Sequence, residues 1–396
     1  MKKILLPAFC VLLLIVSCNR QKENPDTPVI HSNTKNKAVF SDLFEDIIVV
    51  PLETHASGLL GLTALRIEVF QNKIFILNRL SSRSNILCFD SSGQFLFTID
   101  KFGNGPEEYT HLGDFFIDRK NECLVLISEK GNFYRFDFSG QFMDKKHTED
   151  VYYSRHASYL NDSTVLIFND QNVLPQGIDL LSVDLNTFNI GTLSASKSVL
   201  SGIIPPRLPV SIHREQALLY DATDTIFDIS DISNRIAKYA IDFGSSHRSN
   251  LKILIQSVKN LTDNEISEKI FEYFADKQLF TLPALFENND FLVVGYAENS
   301  KPAKKIDMKY SFLLHDKKNQ LTYNSCNIAF DVLNLPDMGN FNILGKYNDA
   351  FYALYTFDWT SENREKILQS KNLSEELKRY IIDGNEERNS ILLCFW

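Results

Sequence analysis

Long hydrophobic runs are almost missing from this chain. The one that exists, Ile4–Val16, holds about 13 residues and is broken by Pro7, short of the roughly 20 that a membrane-spanning helix needs. Nothing later approaches that length, so no span is expected in the body. Cys-x-x-Cys pairs are missing too. Cys88, Cys123, Cys326 and Cys394 stand apart in apolar, strand-like runs, which reads as four buried thiols. A single disulfide stays open as an alternative in an exported chain, and a metal site needs tighter clustering. Positive charge is in short supply. Removing residues 1–17 takes away Lys2 and Lys3 and no acid, leaving 39 basic against 50 acidic residues. That balance excludes nucleic acid as a partner and disfavours docking of the folded body on anionic lipid. Catalytic signatures are absent as well: there is no Gly-x-Ser-x-Gly, His-Glu-x-x-His, phosphate loop or EF-hand loop. The expectation is therefore no catalytic set, no metal and no cofactor.

What is present begins at the N-terminus. Met1-Lys2-Lys3, the apolar run and Ile15-Val16-Ser17-Cys18 form a secretory signal ending in a lipobox, a small residue before a cysteine whose sulfur takes lipid. Residues 1–17 are expected to leave and Cys18 to carry the anchor, a membrane contact made through lipid alone. Residues 18–38 are polar, with Pro25 and Pro28, and are expected to be a disordered tether reaching about 25 Å. Lys22-Glu23 weakly resembles the charged signal that sends such lipoproteins to the cell surface, so the outer membrane is the expected address, its surface favoured over the periplasmic side.

From Val39 short apolar runs alternate with Asn, Asp, Gly and Ser clusters. Phe89-Asp90-Ser91-Ser92-Gly93-Gln94-Phe95 recurs as Phe136-Asp137-Phe138-Ser139-Gly140-Gln141-Phe142, 47 positions on, and Val183-Asp184-Leu185-Asn186 lies another 47 on. Asp-x-x-Gly between apolar runs marks a turn joining two strands. A period of 40–50 residues with four strands per unit is the propeller pattern. Five such units fill 64–323. The sixth, starting near Phe341, ends in Ser390–Phe395, one strand short. Ile47–Leu52 is an unassigned apolar strand that fills the gap and closes the ring, leaving no open edge. The expected fold is all-β, a six-bladed propeller over 39–396.

At this point the chain resembles the six-bladed β-propeller lipoproteins of Bacteroides-type bacteria, related in style to NHL repeats. The residues that carry the likeness are Val50-Pro51-Leu52-Glu53-Thr54, Lys73-Ile74-Phe75-Ile76-Leu77, Phe102-Gly103-Asn104-Gly105-Pro106-Glu107-Glu108-Tyr109 and Asn389-Ser390-Ile391-Leu392-Leu393. The family often has Gly where Glu107 stands and Asp where Asn78 stands. The resemblance implies a fold and an address and brings no catalytic residues with it.

Two segments interrupt the repeat. About 245–280 and 361–387 carry apolar residues at helical spacing, and Ser374 offers a helix cap before Glu375. Strand counting puts both on one face of the disc, because the loop between strands two and three leaves on the same side as the link to the next blade. Long insertions on a rigid scaffold tend to carry function. Arg79, Arg83, His111, Asp170, Tyr296 and Trp359 are the candidate binding residues of that face. His111 with Asp114 and Glu108 is weighed as a proton-transfer cluster, with an ordinary loop histidine favoured. Asp221, Asp224, Asp228 and Asp231 are weighed as calcium ligands, with solvated strand aspartates favoured. The leading functional expectation is a binding module for a peptide, a glycan or an envelope protein. The alternatives are a lyase or hydrolase at the central channel and a structural subunit of an envelope complex.

Overall fold

A computed structural model of the chain describes residues 27–396, apart from 62, 82, 129–130, 149–153, 170–177, 196–206, 222–223, 259–260, 262, 279, 300–307, 336, 340, 357–359, 371–372 and 386–387. Six four-stranded antiparallel units follow one another. Blade 1 is Thr63–Phe70, Lys73–Arg79, Ser84–Asp90 and Phe95–Ile99. Blade 2 covers 112–147, blade 3 154–195, blade 4 210–242, blade 5 280–324 and blade 6 341–395. The first strands of the blades touch in the cyclic order 1 to 6 and back to 1, so they line a central channel.

Middle strands read as unbroken apolar runs, as in Ile74-Phe75-Ile76-Leu77 and Cys123–Ile127, because neighbouring blades cover them on both sides. Phe75, Leu77 and Cys88 of blade 1 pack on Phe115, Leu124 and Leu126 of blade 2. Ile67, Ile76 and Phe89 pack on Leu344, Leu354 and Leu392 of blade 6. Outer strands face solvent on one side, and Phe142–His147 alternates half-buried and exposed residue by residue.

The repeated aspartates close the turns before the outer strands. Asp90 Oδ1 accepts from the Ser92 and Gln94 amides and the Ser92 hydroxyl at 2.7–3.0 Å. Asp137 does the same with Ser139 and Gln141, and Asp184 with Asn186 and Thr187. Blades 4 and 5 use the device too, through Asp228 with Ser230 and Asp316 with Lys318 and Asn319.

The ring closes as the sequence requires. Ile47–Pro51 pairs antiparallel with Ile391–Phe395 as the outermost strand of blade 6, Val49 opposite Leu393. Two segments that carry the family resemblance meet here. Asn389 Oδ1 accepts from the Leu60 amide, and its Nδ2 donates to the Glu53 and Gly58 carbonyls. Gly93, at φ +87°, approaches the Pro51 carbonyl so closely that a Cβ would overlap it.

Residues 29–38, expected as part of a disordered tether, are ordered against the blades. Val29–His31 adds a fifth, parallel strand outside Ile236–Asp242 of blade 4. Thr34 and Asn36 donate to the Thr322 carbonyl of blade 5, and Ala38–Val39 pairs with Ile328–Ala329. Phe40 and Phe44 then pack edge-on against Phe395, with ring centroids 5.0 and 4.7 Å away. Composition fails here because one buried side chain, Ile30, and an unpaired strand edge suffice to order a polar segment. Cys88, Cys123 and Cys394 are buried free thiols in strands, as expected. Cys326 is also free but lies half-buried in the short helical turn Ser325–Asn327 rather than in a strand.

Candidate functional site

The propeller carries its extra helices on one face. The link from blade 4 to blade 5 holds Ser245–Val258 and Asp263–Asp276, which bury Leu254, Val258 and Phe274 between them. Buried His247 ties this pair to the blades: its Nε2 lies 3.0 Å from Asp224 Oδ2, and its Nδ1 lies 3.4 Å from the Phe280 amide. Strands two and three of blade 6 are joined through Ser361–Leu368 and Glu375–Ile382. Thr360 and Ser374 cap these helices by accepting from the Asn363 and Leu377 amides. Leu377 and Ile381 face the core of blades 5 and 6.

The expected binding residues fare differently. Arg79 is exposed at the end of its strand. Arg83 is exposed and paired with Asp100 at 2.9 Å. His111 is half-buried in the link from blade 1 to blade 2, its carbonyl accepting from Ser128. Asp114, grouped with it on sequence, bonds instead to Arg66 and blade 3. Glu108 is spent on its own turn, accepting from the Gly105 amide. Tyr296 is no surface residue. It is 4% exposed, packs on Phe243 and Phe280, and its hydroxyl accepts from Asn324. Its strand runs on to Asn299, so the residue lies inside a strand rather than on a loop. Cys18, Asp170 and Trp359 lie outside the described residues. Of the four aspartates weighed for calcium, Asp224 bonds His247, while Asp228 and Asp231 close local turns. No cluster of metal-ligating side chains occurs among the described residues.

The channel holds polar groups that sequence reading overlooked. Arg66, Asp114 and His156 sit on the first strands of blades 1, 2 and 3, all buried. Arg66 Nη1 donates to Asp114 Oδ2 and to the Ala157 carbonyl, each at 2.5 Å, and its Nε donates to Glu68. Asp114 Oδ2 also accepts from the Ala157 amide at 2.7 Å and lies 3.2 Å from His156 Nδ1. His156 Nε2 lies 2.7 Å from the Ser158 hydroxyl. Burial alone pushes the Asp114 carboxyl up, but the Arg66 charge and the His156 and Ala157 hydrogen bonds outweigh it and hold it below the usual range. Burial and the Arg66 charge push His156 down, so the ring is neutral at neutral pH. The net result is a cross-braced network joining three blades. Single polar residues breaking apolar inner strands, as in Leu65-Arg66-Ile67 and Asp114-Phe115-Phe116, were the available signal.

Leu208 and Leu344 line two cavities along the channel, one towards each face. The cavity away from the helices measures about 80 Å³ and is lined by Glu68, Arg119, Ser158 and Lys346 among others. Burial drops the Lys346 ammonium to about 8; its Nζ lies 3.0 Å from His213 Nδ1 and donates to the Asn348 carbonyl. The cavity on the helical face measures about 220 Å³. Arg207 enters it from the link just before blade 4 and donates across the channel to the Ala64 carbonyl of blade 1 at 3.1 Å.

Two solved structures share this architecture. A protein from Bacteroides fragilis NCTC 9343 named for predicted export is 20% identical, with a TM-score of 0.70 over 93% of this chain and 98% of its own. A member of the DUF4221 family from Bacteroides vulgatus ATCC 8482 is 10% identical, with a TM-score of 0.51 over 89% of this chain and 97% of its own. At these identities the likeness is one of fold. No curated protein matches the chain. The family matched is not one of NHL repeats: residues 27–395 fit a domain of unknown function, DUF4934, and the chain belongs to that family.

Proposed function

We propose that this propeller is an extracytoplasmic binding module, held to the outer membrane by lipid on Cys18 and meeting its ligand or partner with the helical face. One observation carries the reading: both helical insertions and the larger channel cavity open on the same face. The opposite face is built of tight turns such as Gln71-Asn72 and Asn348-Asp349. A rigid disc with its irregular structure gathered on one side is suited to recognition. The partner is a peptide, a glycan or an envelope protein. Arg79, Arg83 and His111 remain the residues of the rim to change first, and Asp170 and Trp359, outside the described residues, are to be changed beside them. The Bacteroides fragilis relative's name supports export, and the lipobox supplies the anchor.

The experiment is a mild-detergent capture from envelope fractions with the unaltered chain and with a variant in which a short linker replaces 245–279. Capture that needs this helical pair supports the reading; equal capture by both chains sinks it. Separately, Cys18→Ala is expected to release the protein from the membrane fraction, and continued membrane fractionation removes the anchor.

A second reading, a hydrolase at the channel, is favoured by one feature. Asp114, His156 and Ser158 run carboxylate, imidazole, hydroxyl at 3.2 and 2.7 Å, the order that activates a serine. Against it, Arg66 neutralises Asp114 at 2.5 Å, and the serine faces a cavity of only about 80 Å³. Covalent labelling by a fluorophosphonate that disappears in Ser158→Ala is its test.

A further inference from the structure

We infer that Arg207 makes the helical-face end of the channel a receptor for a terminal carboxylate, borne by a ligand larger than the cavity. This deepens the binding-module reading and rests on it.

The other strongly held guanidiniums have acid partners. Arg66 pairs with Asp114 and Glu68, and Arg135 with Asp144 through two parallel bonds of 2.5 Å. Arg207 has none among the described residues: its one bond goes to the Ala64 carbonyl, which takes one of its five N–H donors. Burial lowers it to about 10, with the charge of Asp114 offsetting little and Arg79 adding to the fall. A half-buried cation without a paired acid is unfavourable unless something else supplies the negative charge.

The cavity states what kind of anion fits. Among the described residues Arg207 is the one cation in its wall, which it shares with polar Tyr310, Asn342, Thr356 and Ser390 and apolar Leu60 and Leu354. One planar fork with neutral donors around it matches a monoanionic carboxylate, which takes two parallel N–H bonds. A phosphate dianion calls for more positive charge. The volume, about 220 Å³, falls under the roughly 300–1,000 Å³ of sites that enclose a whole small ligand. It therefore admits an end group, with the remainder of the ligand lying over the helical face. A peptide C-terminus and a uronic acid at a glycan end share this chemistry.

The test is a calorimetric and thermal-shift titration of the full mature chain with two matched probe pairs: acetyl-alanyl-alanine against its carboxamide, and glucuronate against glucose. At least one acid is expected to bind while its neutral partner does not, and which acid binds identifies the source. Arg207→Gln is expected to weaken that acid roughly 10- to 100-fold. Should this variant fail to fold, Arg207→Lys keeps the charge and loses the fork, so it must also bind more weakly. The inference is overturned if neither acid binds, if acid and neutral probe bind alike, if inorganic phosphate binds more tightly than either acid, or if Arg207→Lys binds as the unaltered chain does. Acid binding that survives replacement of 245–279, alongside partner capture that also survives, sinks the helical-face reading and leaves the carboxylate site standing. Capture that depends on the helices while the acids fail does the reverse.

Discussion

Asn389 donates its side-chain amide to the Glu53 carbonyl at 2.7 Å, joining positions 336 residues apart. The same side chain serves the Leu60 amide and the Gly58 carbonyl, so three backbone groups of the last seam of the ring depend on it.

Asn389→Ala leaves those groups without their partner in a site that is 3% exposed. The expected loss is about 2–4 kcal/mol of unfolding free energy, read from urea denaturation. A loss under about 0.5 kcal/mol would show that water replaces the amide there.

Phe40 packs edge-on against Phe330 and Phe395, centroids 4.9 and 5.0 Å away, and is 1% exposed. Phe40→Ala is expected to destabilise by about 3–5 kcal/mol. An unchanged urea midpoint would mean that the N-terminal segment contributes nothing to the folded state.

Gly93 and Gly140 occupy equivalent turns at φ +87° and +82°, yet their neighbours differ. A Cβ on Gly93 meets the Pro51 backbone carbonyl, while one on Gly140 meets only the ring of Phe97. Both alanine variants suffer the left-handed backbone, about 1 kcal/mol. Gly93→Ala is expected to lose more than Gly140→Ala, because a side chain can swing aside and a strand carbonyl cannot. Equal melting temperatures would refute the difference.

The channel network sets a direction for pH. His156 is held below its unfolded pKa, so the unfolded chain binds its proton first as pH falls. Stability from this ring is complete above about 6.5 and declines below it. Asp114, also depressed, adds a further loss below about 4. Urea midpoints are therefore expected to fall between pH 7 and pH 5, and His156→Gln is expected to flatten that slope. A variant slope equal to the original would assign the acid sensitivity to other groups.

What the sequence displayed was local chemistry. Asp90, Asp137 and Asp184 announced the repeat because each closes a turn inside four residues. Asp228 and Asp316 do the same work without the following Gly-Gln, and the middle blades were correspondingly faint. Ile47–Pro51 was legible as a missing strand because an unpaired edge is costly anywhere. The channel was not legible. Arg66 and Asp114 are 48 residues apart, and only the curvature of the ring brings them together. Arg207 gave no signal at all, since only the fold shows that no acid among the described residues pairs with it. Tyr296 was misjudged for a related reason: which way a residue near a strand end points depends on where the strand stops.

The strap formed by residues 29–51 visits blades 4, 5 and 6 in turn. It is synthesised before every strand it pairs with. Its partners at 236–242, 328–329 and 391–395 come later, the last of them some 340 positions on. Blades 1 to 3 form from neighbouring segments and need not wait, whereas the seam joins residues separated by nearly the whole chain, the slowest kind of contact to make. A chain cut short before residue 391 leaves blade 6 with no third strand and Ile47–Pro51 with no neighbour. Such a chain keeps raw strand edges, the feature by which incomplete β-proteins aggregate. Closure is thereby written into the architecture: the disc is sealed only when residues 391–395 meet 47–51.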